Sequence, residues 1–204
     1  MKGASTMRNE PIIRPALIAD RRAVTVMLAA AFQNDPAMSF IFPDPKIRAV
    51  RLPGLFKILF DGDSPRGSCY VTEGGEAATL WRAPDHARLS LYEKITFALP
   101  WIAAAGPALG RALAYSDASD ANHPKTPHWY LHIAGCAPSA QGHGFGGAAI
   151  RAGLERADNE RMPVYLETAK EVNVELYLRF GFEITHQWSV PKGPISWSML
   201  RPTR

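Results

Sequence analysis

The chain predicts a mixed β-sheet flanked by helices, an α/β (α+β) fold, and three observations carry that expectation. From His128 onward, strand-like and helix-like runs alternate. In the first half, two β-rich runs are joined by Gly74-Gly75, the pattern of a hairpin. Ahead of that hairpin, Val24, Met27, Leu28, Ala31 and Phe32 recur at helical spacing and define an amphipathic helix.

Taken in order, residues 11–17 read as a short first strand, placed at an edge by Pro11 and Pro15. Asp20 reads as the N-cap of the amphipathic helix, which Gln33-Asn34-Asp35-Pro36 ends because a residue before proline avoids helical angles. A second helix opens at Pro45 behind Asp44 and runs to about Phe60, with Pro53 expected to kink or divide it. Residues 68–73 and 76–82 form the hairpin. Residues 87–116 read as helical in at least two pieces, with Leu89, Tyr92, Ile95, Thr96 and Leu99 on one apolar side. Residues 117–127 are polar and without periodicity, and read as a mobile loop. Then come a strand at 129–136, a helix at about 145–158, a strand at 164–167 and a helix at about 173–180 closed by Gly181. Strands at 182–190 and 195–200 end the pattern.

Composition narrows the function. A chain of 204 residues, 47% hydrophobic and 21% charged, is expected to form one domain over 1–204, with 1–10 as a disordered tail. A net charge of +4 favours anionic ligands. The Lys and Arg residues are scattered without interleaved aromatics, so no nucleic-acid partner is expected. Cys69 and Cys136 read as free thiols, and no Cys/His spacing resembles a zinc site, so no metal is expected. The first ten residues lack the apolar core of a signal peptide, and Pro100, Gly106, Pro107 and Gly110 break the longest apolar window. A cytoplasmic protein with no membrane partner, monomer or homodimer, is the expectation.

The stretch Gln141, Gly142, His143, Gly144, Phe145, Gly146 and Gly147 sits where a strand hands over to a helix. A helix start leaves backbone N–H groups unpaired and slightly positive, and glycines let an anion approach them. A tight strand-to-helix connection is the plainer alternative. A nucleotide P-loop needs Lys and Ser or Thr after the last glycine, where Ala148 stands. A dinucleotide fingerprint belongs near a first strand, and these glycines come late.

The stretch resembles the Gln/Arg-x-x-Gly-x-Gly/Ala pyrophosphate loop of the GNAT superfamily of N-acetyltransferases. Ala134-Gly135-Cys136-Ala137-Pro138 is similar to the end of that family's fourth strand. Leu166-Glu167-Thr168-Ala169, Asn173, Tyr177 and Gly181-Phe182 resemble its later signature. Residues 30–36, 42–44, 80–81 and 197–201 are similar to a branch that includes puromycin N-acetyltransferase-like proteins. Ala137 departs from the family, which often has an acidic residue there. The resemblance implies the GNAT fold, with a mixed, mostly antiparallel central sheet of about seven strands flanked by helices and splayed between the fourth and fifth.

It implies acetyl-CoA as donor, with CoA as product, and a primary amine of a small molecule as acceptor, attacked directly in a ternary complex. Ala134, Gly135, Cys136, the 141–147 loop and Asn173 are then cofactor-binding, with Arg151 a further phosphate partner or a solvated helix-face residue. Asn173 also reads as the N-cap of its helix. Tyr177, one turn on, is implied as both a cofactor contact and the acid that protonates the departing thiolate, where the residue pattern alone would place it in the core. Glu167 is the first candidate for the base and His132 the second, the plainer reading of His132 being a hydrogen-bonded strand histidine. A backbone N–H near Cys136 could hold the oxyanion. The 32–44 loop, the 86–116 helices and the strand ends near Trp188 and Trp197 are expected around the acceptor, although the tryptophans also suit a core. Acetylation of a protein or peptide amine, and CoA sensing without turnover, stay open.

Overall fold

The computed structural model describes residues 10–64, 68–87 and 91–204. The expected tail falls almost wholly outside them. Seven strands form one sheet in the order β1-β2-β3-β4-β5-β7-β6. They are β1 (Ile13–Pro15), β2 (Cys69–Thr72), β3 (Ala77–Arg82), β4 (Trp129–Cys136), β5 (Val164–Thr168), β6 (Glu183–Ser189) and β7 (Ile195–Arg201). All neighbours are antiparallel except β4 and β5. The proline-bearing β1 is an edge strand, as its sequence requires.

The helices are α1 (Arg21–Ala31), α2 (Pro36–Ile41), α3 (Pro45–Asp63), α4 (Leu91–Ala105), α5 (Leu109–Asn122), α6 (Phe145–Asn159) and α7 (Glu171–Arg179). One buried cluster gathers Leu28, Phe56, Phe60 and Leu80, and another gathers Trp81, Ile150, Leu166 and Phe182. Leu80 and Trp81 are neighbours, so strand alternation places the two clusters on opposite sheet faces.

Two irregularities of β4 build the site. Leu80 pairs with Ile133 and Trp81 with Leu131, so His132 is the extra residue of a β-bulge. The bulge shifts the alternation: Leu131 packs with the Trp81 cluster, while Ile133 packs against the Leu80 cluster. On its other side β4 pairs with β5 only at Trp129, Tyr130 and Leu131. Beyond that point the two strands diverge, which is the expected splay.

Several expectations are corrected. Asp20 does not cap α1. Its carboxylate binds the Leu17 N–H at 2.7 Å and pairs with Arg14, holding the turn before the helix instead. The proposed 32–44 loop contains α2, because Asp35 caps it and Pro36 opens it. Pro53 does not divide α3, which continues over the buried Leu52, Leu55, Phe56, Leu59 and Phe60. Leu99 is 77% exposed and Thr96 is exposed, so neither faces the core; Leu89 and the side chains of Tyr92 and Ile95 lie outside the described set. Residues 117–122 are the last turns of α5, not a loop. Polar contacts hold them: Ser119 donates to Glu167, and the Asn122 amide bonds both its own helix and His186. None of the helices among the described residues is long and apolar enough to cross a membrane.

Candidate functional site

After Cys136 the chain makes one 3-10 turn (Pro138–Ala140) and enters α6 through Gly144, whose φ is +90°. Gly142 also has a positive φ, +79°. No side chain caps the helix, and a Cβ at either glycine would meet no heavy atom within 4 Å. The start of α6 is therefore an open cradle of backbone N–H groups.

That cradle forms one end of a cleft of about 750 Å³. Gln141, Gly142, Gly144, Phe145, Gly146 and Gly147 line it, together with Ala134, Gly135, Cys136, Asn173 and Tyr177. His143 does not. Its ring turns back onto the Gln141 carbonyl at 3.0 Å, in an exposed position. Arg151 lines the cleft, as do Lys170 and Arg179, which sequence reasoning missed, whereas Asp35 is the one acid among the lining residues. Two of these cations come from α7 and its N-cap, so only the fold brings them to the loop. Beyond Leu131, β4 offers a backbone edge without a β5 partner. Open N–H groups, three cations and an unpaired strand edge fit a pyrophosphate carrying an amide-bearing arm.

Gly135 has a separate reason to be glycine. A Cβ there would lie 2.5 Å from Leu28 Cδ2, so its absence lets α1 close onto β4.

A smaller chamber of about 200 Å³ adjoins the cleft, and Phe32, Asp35, Ala134, Asn173 and Tyr177 line both. Tyr177 is 6% exposed, and burial first, then the nearby Asp35, push its phenol up to about 12. It keeps its proton across the neutral range. Asn173 is the third residue of α7 and not its cap, which is Lys170. The helix starts two residues earlier than its sequence suggests, and the Asn173 side chain is left for the cavities.

Glu167 lines the chamber. Burial raises its carboxyl to about 6, opposed by hydrogen bonds from Ser119 and from Tyr165, the latter at 2.9 Å. The group is thereby poised to gain or lose a proton near neutrality.

His132 also lines the chamber, placed there by the bulge. Its Nδ1 lies 2.7 Å from one oxygen of the buried Asp63, whose other oxygen accepts from Arg82 Nε at 2.8 Å. Burial penalises the Asp63 charge, but His132 and Arg82 hold its carboxyl below the usual range. Burial and then Arg82 lower the imidazole, so the ring is neutral, donates from Nδ1 to Asp63 and keeps a lone pair on Nε2.

Asp35 was legible in the sequence only as a helix terminator. Its Oδ1 accepts from the Ala37 and Met38 N–H groups at 2.9 and 3.1 Å, while the carboxylate stands where cleft and chamber meet. An Asp-Pro pair after an amphipathic helix signals a cap, and nothing in it signals a cavity. Trp188 and Trp197 line neither space. Trp188 donates to Ser198 at 3.1 Å and packs against Tyr115 with the rings tilted by 50°, and Trp197 packs against a core cluster.

Residues 67–182 match the family model described as the Acetyltransferase (GNAT) family. The fold is similar to that of the "histone acetyltransferase HPA2 and related acetyltransferase" of Corynebacterium glutamicum, with a TM-score of 0.71 and 27% identity over 95% of this chain and 97% of that one. It is also similar to the polyamine N-acetyltransferase of Drosophila melanogaster, which forms N-acetylagmatine (TM-score 0.59, 14% identity, 93% and 98% covered). A third similar structure is arylalkylamine N-acetyltransferase 2 of Aedes aegypti (TM-score 0.63, 11% identity, 96% and 100% covered). At 14% and 11% identity, the last two speak for the fold alone.

Proposed function

The chain belongs to the acetyltransferase (GNAT) family, and from that premise we propose that it transfers the acetyl group of acetyl-CoA to a primary amine of a small molecule. The observation that carries this reading is the junction of the two cavities. Tyr177 and Asn173 line both the basic cleft and the chamber that contains Glu167, so a donor in one and an acceptor in the other would meet beside an acid and a base. Within the family, resemblance to the puromycin N-acetyltransferase-like branch rests on sequence stretches alone.

Bound acetyl-CoA supplies an activated thioester carbonyl. The loop from Gln141 to Gly147, with Arg151, Lys170 and Arg179, holds its phosphates, and the free edge of β4 orients its amide arm. Glu167 accepts the proton that the amine nitrogen must lose to attack the carbonyl carbon. His132, held neutral by its surroundings, stands as the second proton acceptor. As the carbon–sulfur bond breaks, Tyr177 donates its phenolic proton to the sulfur. Asp35 faces the same junction and favours a cationic group there.

The test is thiol release from acetyl-CoA in the presence of an amine panel, read beside CoA binding by calorimetry. Turnover that depends on the amine supports the proposal. Tight CoA binding without turnover on any amine would convert the reading to a sensor. Acetylation of intact protein in preference to free amines would favour the second reading, to which the name of the Corynebacterium relative points.

A further inference from the structure

Tyr130 and His132 stand on either side of Leu131 in β4, and both reach the same narrow place. With Trp101, Ala112, Ser116 and Ser119 they line both the chamber of about 200 Å³ and a second pocket of about 400 Å³, forming the neck between the two. The chamber is smaller than the ~300–1,000 Å³ usual for a ligand pocket, so it holds the reacting amine and little else. A larger acceptor therefore extends through the neck.

The polar groups of the neck are not equally engaged. Ser119 donates to Glu167, and Ser116 is exposed. Tyr130 is 7% exposed and its ring packs among His123, His132 and Tyr165, yet its hydroxyl has no hydrogen-bond partner among the described residues. The His132 side chain is 14% exposed; Asp63 engages its Nδ1, and Nε2 has no partner among the described residues. Burying such groups unpaired lowers stability. Phe and Leu would enclose an apolar acceptor without that cost.

The two groups are complementary. Burial first, then the Glu167 charge, push the Tyr130 phenol well above its ordinary value, so it remains a donor across the neutral range. His132 is neutral, so its Nε2 is an acceptor. The two ring centroids lie 5.1 Å apart. A hydroxyl or an amide satisfies both groups, because each combines an acceptor oxygen with a hydrogen it can donate. A carboxylate or an ether would bond Tyr130 but set a lone pair against the imidazole. An ammonium would leave the phenolic hydrogen unused.

We propose that the neck is a polar recognition subsite, and that the acceptor is a primary amine bearing a neutral hydroxyl or amide close to its nitrogen. Tyr130 donates to the oxygen of that group, and His132 Nε2 accepts its hydrogen. This deepens the acetyltransferase reading, rests on it, and gives His132 a binding role beside Glu167.

Matched pairs of amines test the subsite: ethanolamine against propylamine, 3-aminopropanol against butylamine, and glycinamide against isobutylamine. The polar member of at least one pair should show about tenfold higher kcat/KM, the effect of satisfying a buried donor and a buried acceptor together. The pair that responds tells hydroxyl from amide. Where the hydroxyl pairs respond, 2-methoxyethylamine, which has no hydrogen for His132, should lose most of the advantage of ethanolamine. Tyr130→Phe should bring the responding ratio towards one by lowering kcat/KM for the polar member. No preference in any pair, a ratio that Tyr130→Phe leaves in place, or an equal loss for both members overturns the subsite. If no amine is acetylated while acetyl-CoA binds, the transfer reading fails separately. Saturation-transfer NMR of ethanolamine and glycinamide on the CoA-loaded protein then decides the neck: contact that Tyr130→Phe abolishes upholds it, and contact that is absent or unchanged overturns it.

Discussion

The Ser119 hydroxyl donates to the Glu167 carboxylate, joining the last turns of α5 to the end of β5 across 48 residues of chain. This bond holds a polar helix segment over the chamber and keeps a buried carboxylate partly stabilised. Burial still dominates, so the folded Glu167 titrates at about 6 against the usual 4.5. Between those pH values the folded chain binds the proton more tightly than the unfolded chain, so this group makes stability fall as pH rises, and its cost is full above pH 6. Glu167→Gln should therefore stabilise the protein at pH 7.5 by about 1–2 kcal/mol, an advantage that fades below pH 4.5. The same substitution should lower kcat/KM by about 10²–10⁴-fold if Glu167 is the base. Denaturant melts at the two pH values, set beside steady-state rates, check both halves. Ser119→Ala should move the acid limb of the pH–rate profile upward, because it removes a donor to the ionised form.

Tyr177 is predicted to act on kcat and not on donor binding. Its phenol stays protonated to about 12, so the wild-type profile should show no alkaline limb from this group in the usual assay range. Tyr177→Phe should cost about 10²-fold in kcat while leaving the CoA dissociation constant nearly unchanged. Full turnover by that variant would remove Tyr177 from the mechanism.

Sequence patterning located all seven strands seen among the described residues, because β-rich runs and their turns are local features. The glycine-rich loop at the mouth of the cleft was legible for the same reason: Gln141 to Gly147 is contiguous. What stayed hidden was assembled from distant pieces. Lys170 and Arg179 reach the cleft only because α7 packs beside the loop, and Asp35 looked like a terminator because its capping role is the local one. Residues 117–122 looked like a loop because their polar side chains bind the buried Glu167 and the strand residue His186, partners that a local window cannot contain. The bulge at His132 was equally invisible, since it depends on β3 register.

Two glycines should fail in different ways. At Gly144 the space is open but φ is +90°, so Gly144→Ala should cost about 1–2 kcal/mol of backbone strain, and Gly144→Glu should also weaken CoA binding by opposing the phosphates. At Gly135 the new Cβ would meet Leu28 at 2.5 Å, so Gly135→Ala should cost about 1–3 kcal/mol through displacement of α1. Calorimetric CoA titration alongside thermal melts separates the cases. A Gly144→Glu protein with unchanged CoA affinity would sink the phosphate-loop assignment.

Asp63 carries the opposite expectation to Glu167. Both its oxygens are engaged, one by the Arg82 charge at 2.8 Å and the other by a hydrogen bond from the neutral His132 ring at 2.7 Å. Asp63→Asn would leave Arg82 buried beside a neutral amide, and the loss of one partner from a buried ion pair costs about 3–5 kcal/mol. The pH dependence follows from the directions of the two shifts. The lowered carboxyl contributes stability that is present above its unfolded value of 3.8 and lost as pH falls through its folded value. The lowered imidazole acts in the same sense from about pH 6.5 downward, since the unfolded chain takes that proton first. Wild-type stability should therefore decline on acidification in two stages, after allowing for the opposite slope from Glu167. Asp63→Asn should remove the lower stage and deepen the upper one, because the imidazole loses the carboxylate that raises it, whereas His132→Gln should remove the upper stage and leave the lower one, which Arg82 still sustains. Urea melts of the three proteins from pH 3 to 8 provide the measurement, and an upper stage that survives His132→Gln would detach the imidazole from this network.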